Sequence, residues 1–347
     1  MAMTYSTVEA DLAGAASEIE ALWVQNLIGH DAATARTKLR LGYQENPAGP
    51  GAVVLLRAAG EAQPMGTQGL YPRRFHQGGR VRAAVGMADY VVSASHRFLG
   101  PALVLLRSGV ALGHARFDFV YGTPNAKAAP VLVRAGLTSL GLVSRHSKLL
   151  ASRAALARQL PSWIAAVLAP LVDIGLRARD AWFDRRQAQR LVGMAAPWDS
   201  QAVDEIWNHR PTHGLFSERT SRMLRWRFVE PARHAWHLFV ASDGGGRSCG
   251  YVAWRRMGGM IEVGDFFSRD PAAMTLPLML AFGRFVRRQG GQTVSVEFFG
   301  DPAVAGQLSQ AGWVLRPDAM PLFISAGTAD LPAPDGWYLT SFDNDAD

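Results

Sequence analysis

Cysteine is almost missing from this chain: Cys249 is the single one among 347 residues. No internal disulfide can form, and such usage fits a reducing, cytoplasmic compartment. No cluster of Cys and His has metal-ligand spacing, so no metal is expected. No uncharged apolar run reaches the roughly 18–20 residues that span a bilayer. Residues 1–16 include Glu9 and Asp11 and no apolar core, which argues against a signal peptide. Charged residues are sparse as well, at 19% against 48% hydrophobic, as in a globular rather than a disordered chain. There is no arginine-rich tail and no RNA-binding signature, so nucleic acid is not an expected partner. Within the small charged fraction cations prevail, giving a formal charge of +7. That balance favours anionic partners.

What is present is a repeat. Leu39-Arg40-Leu41-Gly42-Tyr43 matches Leu224-Arg225-Trp226-Arg227-Phe228, each soon followed by proline, at Pro47 and Pro231. Gly66 matches Gly250, Arg73-Arg74 matches Arg255-Arg256, and Asn125 precedes Gly136 as Asp301 precedes Gly312. An ordered series at nearly one separation argues for a duplicated domain. Hydrophobic spacing predicts helices over 17–29, 31–44, 100–108 and 125–135, and strands over 52–57, 65–72, 80–92 and 116–122. In the second half it predicts helices over 199–208, 218–227, 274–289 and 302–311, and strands over 236–242, 248–256, 259–267 and 293–299. The chain after Ser325, with Pro332, Pro334 and several aspartates, reads as a loose tail.

The most specific stretch is 91–136. A strand ending in Val91-Val92 enters a turn with Arg97, Phe98, Leu99, Gly100, Pro101 and Ala102, and a helical pattern follows. An R-x-x-G-x-A turn at a helix N-terminus aims backbone N–H groups at a pyrophosphate, with Arg97 adding a permanent cation. Tyr121-Gly122-Thr123-Pro124-Asn125 then leads into a second helix. This stretch resembles the acyl-CoA-binding core of the GNAT superfamily of N-acyltransferases, over about residues 17–147. The resemblance implies an α/β (α+β) fold of two tandem GNAT-like domains, with mixed twisted sheets flanked by helices. The boundaries it suggests are a CoA-binding domain over 1–147, a basic and apolar helical connector over 148–195, a degenerate second domain over 196–326 and the tail over 327–347. It implies acyl-CoA or acyl carrier protein as co-substrate, no prosthetic group, and direct attack by an amine on the thioester. The backbone of Val91 and Val92 would then polarise the thioester carbonyl, and the turn with Asn125 would hold CoA.

Asp89, in an apolar stretch just before that strand end, is the leading candidate for general base, with a strand aspartate paired to an arginine as the other reading. Tyr121 and His114 are secondary candidates. Asp265 is the matching acid of the second half. Where many GNAT members carry a tyrosine acid, Leu132 and Val133 are apolar, so that role has no counterpart here. The second half also lacks the R-x-x-G-x-A turn, and Asp270 puts a carboxylate where a pyrophosphate would sit. It reads either as a wall of the acceptor site or as purely structural.

Residues 148–190 belong to neither repeat. The uncharged stretch 160–172, with Trp163, is flanked by arginines on both sides, while Pro161 and Pro170 suggest broken short helices. Two readings stay open: a segment at an anionic membrane surface, peripheral on the inner face of the cytoplasmic membrane, or plain interdomain packing. The first would make the acceptor a lipid-borne amine such as a sphingoid base. The alternatives are a soluble amino sugar or small amine, an aminoacyl-tRNA-dependent transfer to an envelope precursor, and a non-catalytic CoA-binding protein.

Overall fold

The computed structural model describes residues 4–344. The first half runs β1 (Tyr5–Glu9), α1 (Ala16–Asn26), α2 (Ala32–Lys38), a π-helical turn (Leu39–Gln44), β2 (Ala52–Ala58), β3 (Gly66–Gln77), β4 (Arg80–Val92), α3 (Leu99–Arg116), β5 (Phe119–Gly122), α4 (Ala129–Arg134) and β6 (Thr138–Leu149). Two connecting helices follow, α5 (Arg153–Leu156) and α6 (Ser162–Arg185). The second half runs β7 (Val192–Ala196), α7 (Gln201–Asn208), β8 (Leu215–Ser217), α8 (Ser221–Phe228), β9 (Trp236–Ser242), β10 (Ser248–Met257), β11 (Met260–Ser268), α9 (Pro271–Arg288), β12 (Thr293–Gly300), α10 (Pro302–Gln310), β13 (Val314–Ser325) and β14 (Trp337–Leu339). The order of β2, β3, β4, α3, β5, α4 and β6 recurs as β9, β10, β11, α9, β12, α10 and β13, which is the duplication in three dimensions.

The two copies are not separate bodies. All strands belong to one sheet, whose main path is β1-β2-β3-β4-β5-β13-β6-β12-β11-β10-β9-β7. Each copy donates its last strand to the other: β13 lies antiparallel against β5, and β6 lies antiparallel against β12. The donated strands then pair with each other. Residues 1–147 are therefore a sequence repeat but not a self-contained sheet. Periodicity did not reveal β6 or β13. Their ribbon is exposed at several positions on both faces, with Leu142, Val314 and Leu315 all more than half exposed, so neither carries a clean alternation.

Helices cover both faces. Val91 and Val92, adjacent on β4, point to opposite sides. Val91 packs with Ile19 and Trp23 of α1, and Val92 with Leu105 of α3. The larger core lies in the second half, where Phe239, Trp254, Phe282 and Phe285 stack between sheet and α9.

Two expectations fail. Residues 334–344 are not a loose tail: β14 pairs with β12 and β8, and Trp337, Tyr338, Leu339 and Phe342 are buried. Their apolar side chains outweigh the prolines and aspartates that suggested disorder. Residues 345–347 of that tail lie outside the described residues. The connector is also not a set of broken helices. Pro161 sits at the N-cap of α6, where its missing N–H costs nothing, and Pro170 is carried inside a continuous 24-residue helix. Among the described residues no helix is long and apolar enough to cross a membrane.

A second bridge between the copies runs through β8, which pairs with β3 of the first copy. His76 on β3 faces this joint. Its Nδ1 accepts from Arg210 Nη2 at 3.0 Å and its ring meets Trp207 edge-on. Burial, then the Arg210 guanidinium, hold its pKa down to about 4, against the opposing pull of Glu218. The unfolded chain protonates this imidazole near pH 6.5, so between about 6.5 and 4 the unfolded state binds more protons than the folded one. The resulting stability is full above pH 6.5 and is lost as pH falls toward 4. Thermal melts across that range should show a steeper acid loss for the wild type than for His76→Gln, and parallel curves would assign the latch no role.

Candidate active site

The sheet parts at one place in the first copy. Strand β4 runs to Val92, but β5 pairs with it only at Ala84, Val85 and Gly86. Beyond Gly86 the two strands diverge, and the space between them is a cavity of about 330 Å³. Met87, Ala88, Asp89 and Tyr90 form one wall, Gly122 to Asn125 the other, and Leu106 and Leu132 part of the lining. A second, smaller recess shares Met87, Ala88, Gly122 and Thr123 and is closed by Tyr71, Arg73 and Asp343. The gap thus reaches from one face of the sheet toward the other.

Asp89 sits at this gap on a bulge. Between the pairs Thr67↔Val91 and Gly69↔Ala88, β4 holds one residue more than β3. Asp89 takes a φ of +49°, a conformation that aspartate tolerates better than most residues. The bulge is pinned from α1: Trp23 Nε1 donates to Thr67 Oγ1 at 3.0 Å, and Thr67 Oγ1 donates to the Asp89 carbonyl at 2.9 Å. The carboxylate is held from the helical side. Lys38 Nζ lies 2.7 Å from Oδ1, and Tyr43 Oη donates to Oδ2 at 2.5 Å. Lys38 ends α2, and Tyr43 lies five residues on in the π-helical turn, where the N–H of the C-cap Glu45 donates to the Arg40 carbonyl five residues back. A π turn inside a helix often marks a functional position. Gly69 makes room for this contact, since a Cβ there would lie 2.0 Å from Tyr43 Oη.

Asp89 is paired to a cation, though to Lys38 and not to the expected arginine, and it lines the cavity. Lys38 and Tyr43 were not anticipated, although Tyr43 ends the repeated L-R-x-x-aromatic motif. Val91 and Val92 end the splayed strand, yet their side chains are core, and the cavity wall begins at Tyr90. Phe98 is the N-cap of α3 and supplies no side-chain cap, and Leu99 and Gly100 open the helix. The first amides of a helix have no intrahelical partner, so those of Leu99 and Gly100 remain for a ligand, whereas Pro101 has none to offer. Ala102 is packed against the sheet. Arg97 bends back, donating to the Val92 carbonyl at 3.0 Å and to Asn26 Oδ1 at 3.2 Å. It closes the turn between strand and helix beside this N-terminus. Asn125 lines the cavity and accepts from the N–H groups of Lys127 and Ala128, starting the turn before α4.

Neither His114 nor Tyr121 lines the larger cavity, although Tyr121 borders the smaller recess. His114 is in the last turn of α3, four turns from Leu99, with Nε2 2.8 Å from Ser325 Oγ. Tyr121 is buried and donates to the Asp343 carbonyl at 3.0 Å, and burial pushes its pKa well up. It anchors the C-terminal segment.

Asp265 does not face the cleft. It is fully buried, with Arg219 Nε 3.2 Å from each carboxylate oxygen, Tyr251 Oη donating at 2.6 Å and Thr340 Oγ1 at 2.6 Å. Burial raises its pKa, and the Arg219 guanidinium opposes that rise. The reason for the difference is steric. In the second copy β11 also leaves its neighbour, pairing with β12 only at Met260–Val263, but β14 and the residues after it fill that gap. Tyr338 Oη donates to the Phe266 carbonyl, and Arg219 Nη2 bonds Asp343 at 2.7 Å. At the end of β11, Asp270 caps α9 by accepting from the Ala273 N–H at 3.0 Å, so the anion slot holds the protein's own carboxylate.

With this geometry in hand, known structures are informative. A conserved protein from Enterococcus faecalis, described as a probable N-acyltransferase, superposes with a TM-score of 0.65 at 12% identity, over 93% of this chain and 72% of that one. A GCN5-related N-acetyltransferase from Anabaena variabilis gives 0.62 at 12% identity, over 92% and 72%. The chain has a tandem GNAT fold. The N-myristoyltransferase of Saccharomyces cerevisiae with bound myristoyl-CoA gives 0.54 at 8% identity, over 93% and 82%. No family model and no curated protein matches the sequence.

The tandem GNAT fold closes its second gap around a buried ionic cluster, and that makes the cluster sensitive. Arg219 serves two carboxylates, Asp265 and Asp343, all three side chains fully buried. Arg219→Leu would leave both without their cation and should cost about 3–5 kcal/mol. Urea unfolding of the variant measures this, and a loss below about 1 kcal/mol would show the cluster to be dispensable.

Proposed function

We propose that the protein is an N-acyltransferase that uses an acyl-CoA or acyl carrier protein thioester, with the first copy as its active half. The observation that carries this is the open gap between β4 and β5, with Asp89 on its wall and the uncapped α3 N-terminus following β4 in the chain. The diphosphate of CoA would rest on the Leu99 and Gly100 amides beside Arg97, where the helix dipole favours negative charge. The pantetheine arm would run along the unpaired edge of β4 and place the thioester in the gap. The amine nitrogen attacks the thioester carbon, the C–S bond breaks, and CoA leaves as the thiolate. Asp89 would accept the proton lost by nitrogen, with Lys38 and Tyr43 holding its carboxylate in place. With Leu132 and Val133 where a tyrosine acid would stand, the thiolate would take its proton from water.

The acceptor we infer is a long-chain amine, such as a sphingoid base. Leu27, Leu106, Met87 and Leu132 give the cavity an apolar lining, to which the exposed Ile28 adds. A long alkyl chain matches that surface better than an amino sugar does. In this reading the second copy is a wall and scaffold without transfer chemistry.

Thiol release from acetyl-CoA and palmitoyl-CoA, each against sphinganine in detergent and against soluble amines, tests both levels. Palmitoyl-CoA with sphinganine should release thiol, and Asp89→Asn should lower kcat about 10²- to 10⁴-fold with CoA affinity unchanged. Turnover only with acetyl-CoA and a soluble amine would keep the acyltransferase and overturn the lipid acceptor. CoA binding without turnover on any amine would overturn both.

A further inference from the structure

Helix α6 is amphipathic in the wrong sense for a soluble surface. A surface helix normally turns apolar residues to the core and charge to water. Here the three carboxylates point inward. Asp173 Oδ1 accepts from the Ser152 N–H at 2.7 Å. Asp180 pairs with Lys148 at 3.0 Å and Arg287 at 2.9 Å, and Asp184 with Arg284 at 2.5 Å and Arg190 at 2.9 Å. The outward stripe, at spacings of three and four, is Trp163, Val167, Leu171 and Ile174, continuing to Trp182. The first four are 71%, 66%, 66% and 60% exposed, and Trp182 is 46% exposed. Twenty-four helical residues extend about 36 Å, so the stripe is long as well as apolar.

The charges around the stripe are of one sign. Among residues 153–190 the only acids are those three inward aspartates, while Arg158 stands before the stripe and Arg177, Arg185 and Arg186 stand after it. The Arg186 guanidinium lies over the Trp182 ring, 3.7 Å from its centroid. Beside the C-terminal half of α6 a cleft of about 430 Å³ is lined by Arg177, Arg190, Arg284, Arg287 and Arg288, with Asp180 and Asp184 the only acids in it. Pairing with a second copy is disfavoured in either orientation, since both ends of the stripe are cationic and arginine would meet arginine. An anionic partner with an apolar interior satisfies both features.

We propose that α6 lies flat in the interface of an anionic bilayer, its stripe in the acyl boundary and its arginines on lipid phosphates. The cleft beside it would hold one headgroup phosphate. Tryptophan at both ends suits the headgroup level, and the ion pairs of the inward face stay with the protein. This extends the reading above by supplying the surface from which a lipid-borne amine is drawn.

The test needs no turnover, so its failure is separate from failure of the acyltransferase reading. Purified full-length protein is spun with sucrose-loaded vesicles of phosphatidylcholine, alone or mixed with phosphatidylglycerol. Binding should be at least about tenfold stronger to the mixed vesicles and should weaken with salt. Leu171→Glu/Ile174→Glu and, separately, Arg185→Glu/Arg186→Glu should each reduce it about tenfold or more while thermal melts stay unchanged, because these positions are exposed. Two results would overturn the proposal: wild type that stays in the supernatant with mixed vesicles at low salt, or stripe variants that bind as the wild type does. A lipid-free dimer that Leu171→Glu/Ile174→Glu dissolves would also overturn it, assigning the stripe to a second copy.

Discussion

The pairing of β6 with β13 at the centre of the sheet is the constraint on which the other features rest. Each strand ends one copy of the repeat and is inserted into the sheet of the other. Because β13 occupies the far edge of β5, the first copy cannot complete its sheet without residues more than a hundred positions away. The same pairing lets β4 diverge from β5 without tearing the sheet apart, since β5 keeps a full partner on its other side. Backbone groups in a parted sheet would otherwise lose their hydrogen bonds. An opening in the middle of a continuous sheet is tolerable only where the strands on both sides are held by other neighbours.

The two copies then show how one opening is kept and the other is closed. Asp89 and Asp265 stand at matching places, each on the strand that parts from its neighbour, and each with a tyrosine and a cation on its carboxylate. The difference lies in what fills the space beside them. Next to Asp265, the chain supplies Tyr338, Thr340 and Asp343, and Arg219 neutralises two acids at once. Next to Asp89 the counter-charge comes from the helical side, through Lys38, and the strand gap stays free. The C-terminal segment is thus a plug for one copy and, through the backbone of residues 342–344 held by Arg73, Tyr121 and Arg227, a border for the other.

The repeat, the central strands of each copy, the strand–turn–helix around Arg97 and Gly100 and the acid at Asp89 could all be read from the residues. Each is encoded locally, by alternation, by helical period or by a turn. The donated strands could not, because what makes Thr138–Leu149 a strand is a partner supplied by the far end of the chain. The tail was misread for the same reason: its prolines and aspartates are local signals of disorder, whereas Trp337 and Tyr338 find their cavity only in the folded protein. Lys38 and Tyr43 were hidden by the π turn, which aligns residues five apart and so escapes a search at period 3.6.

Helix α6 carries the argument one step beyond the transfer site. Its inward ion pairs anchor it firmly, with Asp184 gripped by two cations and Asp180 by three, one of them the buried Lys148. Burial lowers the Lys148 pKa to about 8, with Asp180 opposing. Keeping charge on the inner face while leaving Trp163, Val167 and Leu171 in water is a poor arrangement for a helix whose only solvent is water. Reversing the two faces would bury the apolar stripe, at about 25 cal/mol per Å², and would return the buried Asp180 and Asp184 to solvent. The inverted arrangement becomes favourable only when the outer face meets a medium that is itself apolar and bordered by anions. The same helix joins the two copies, so such a surface would sit at a fixed orientation to the gap beside Asp89.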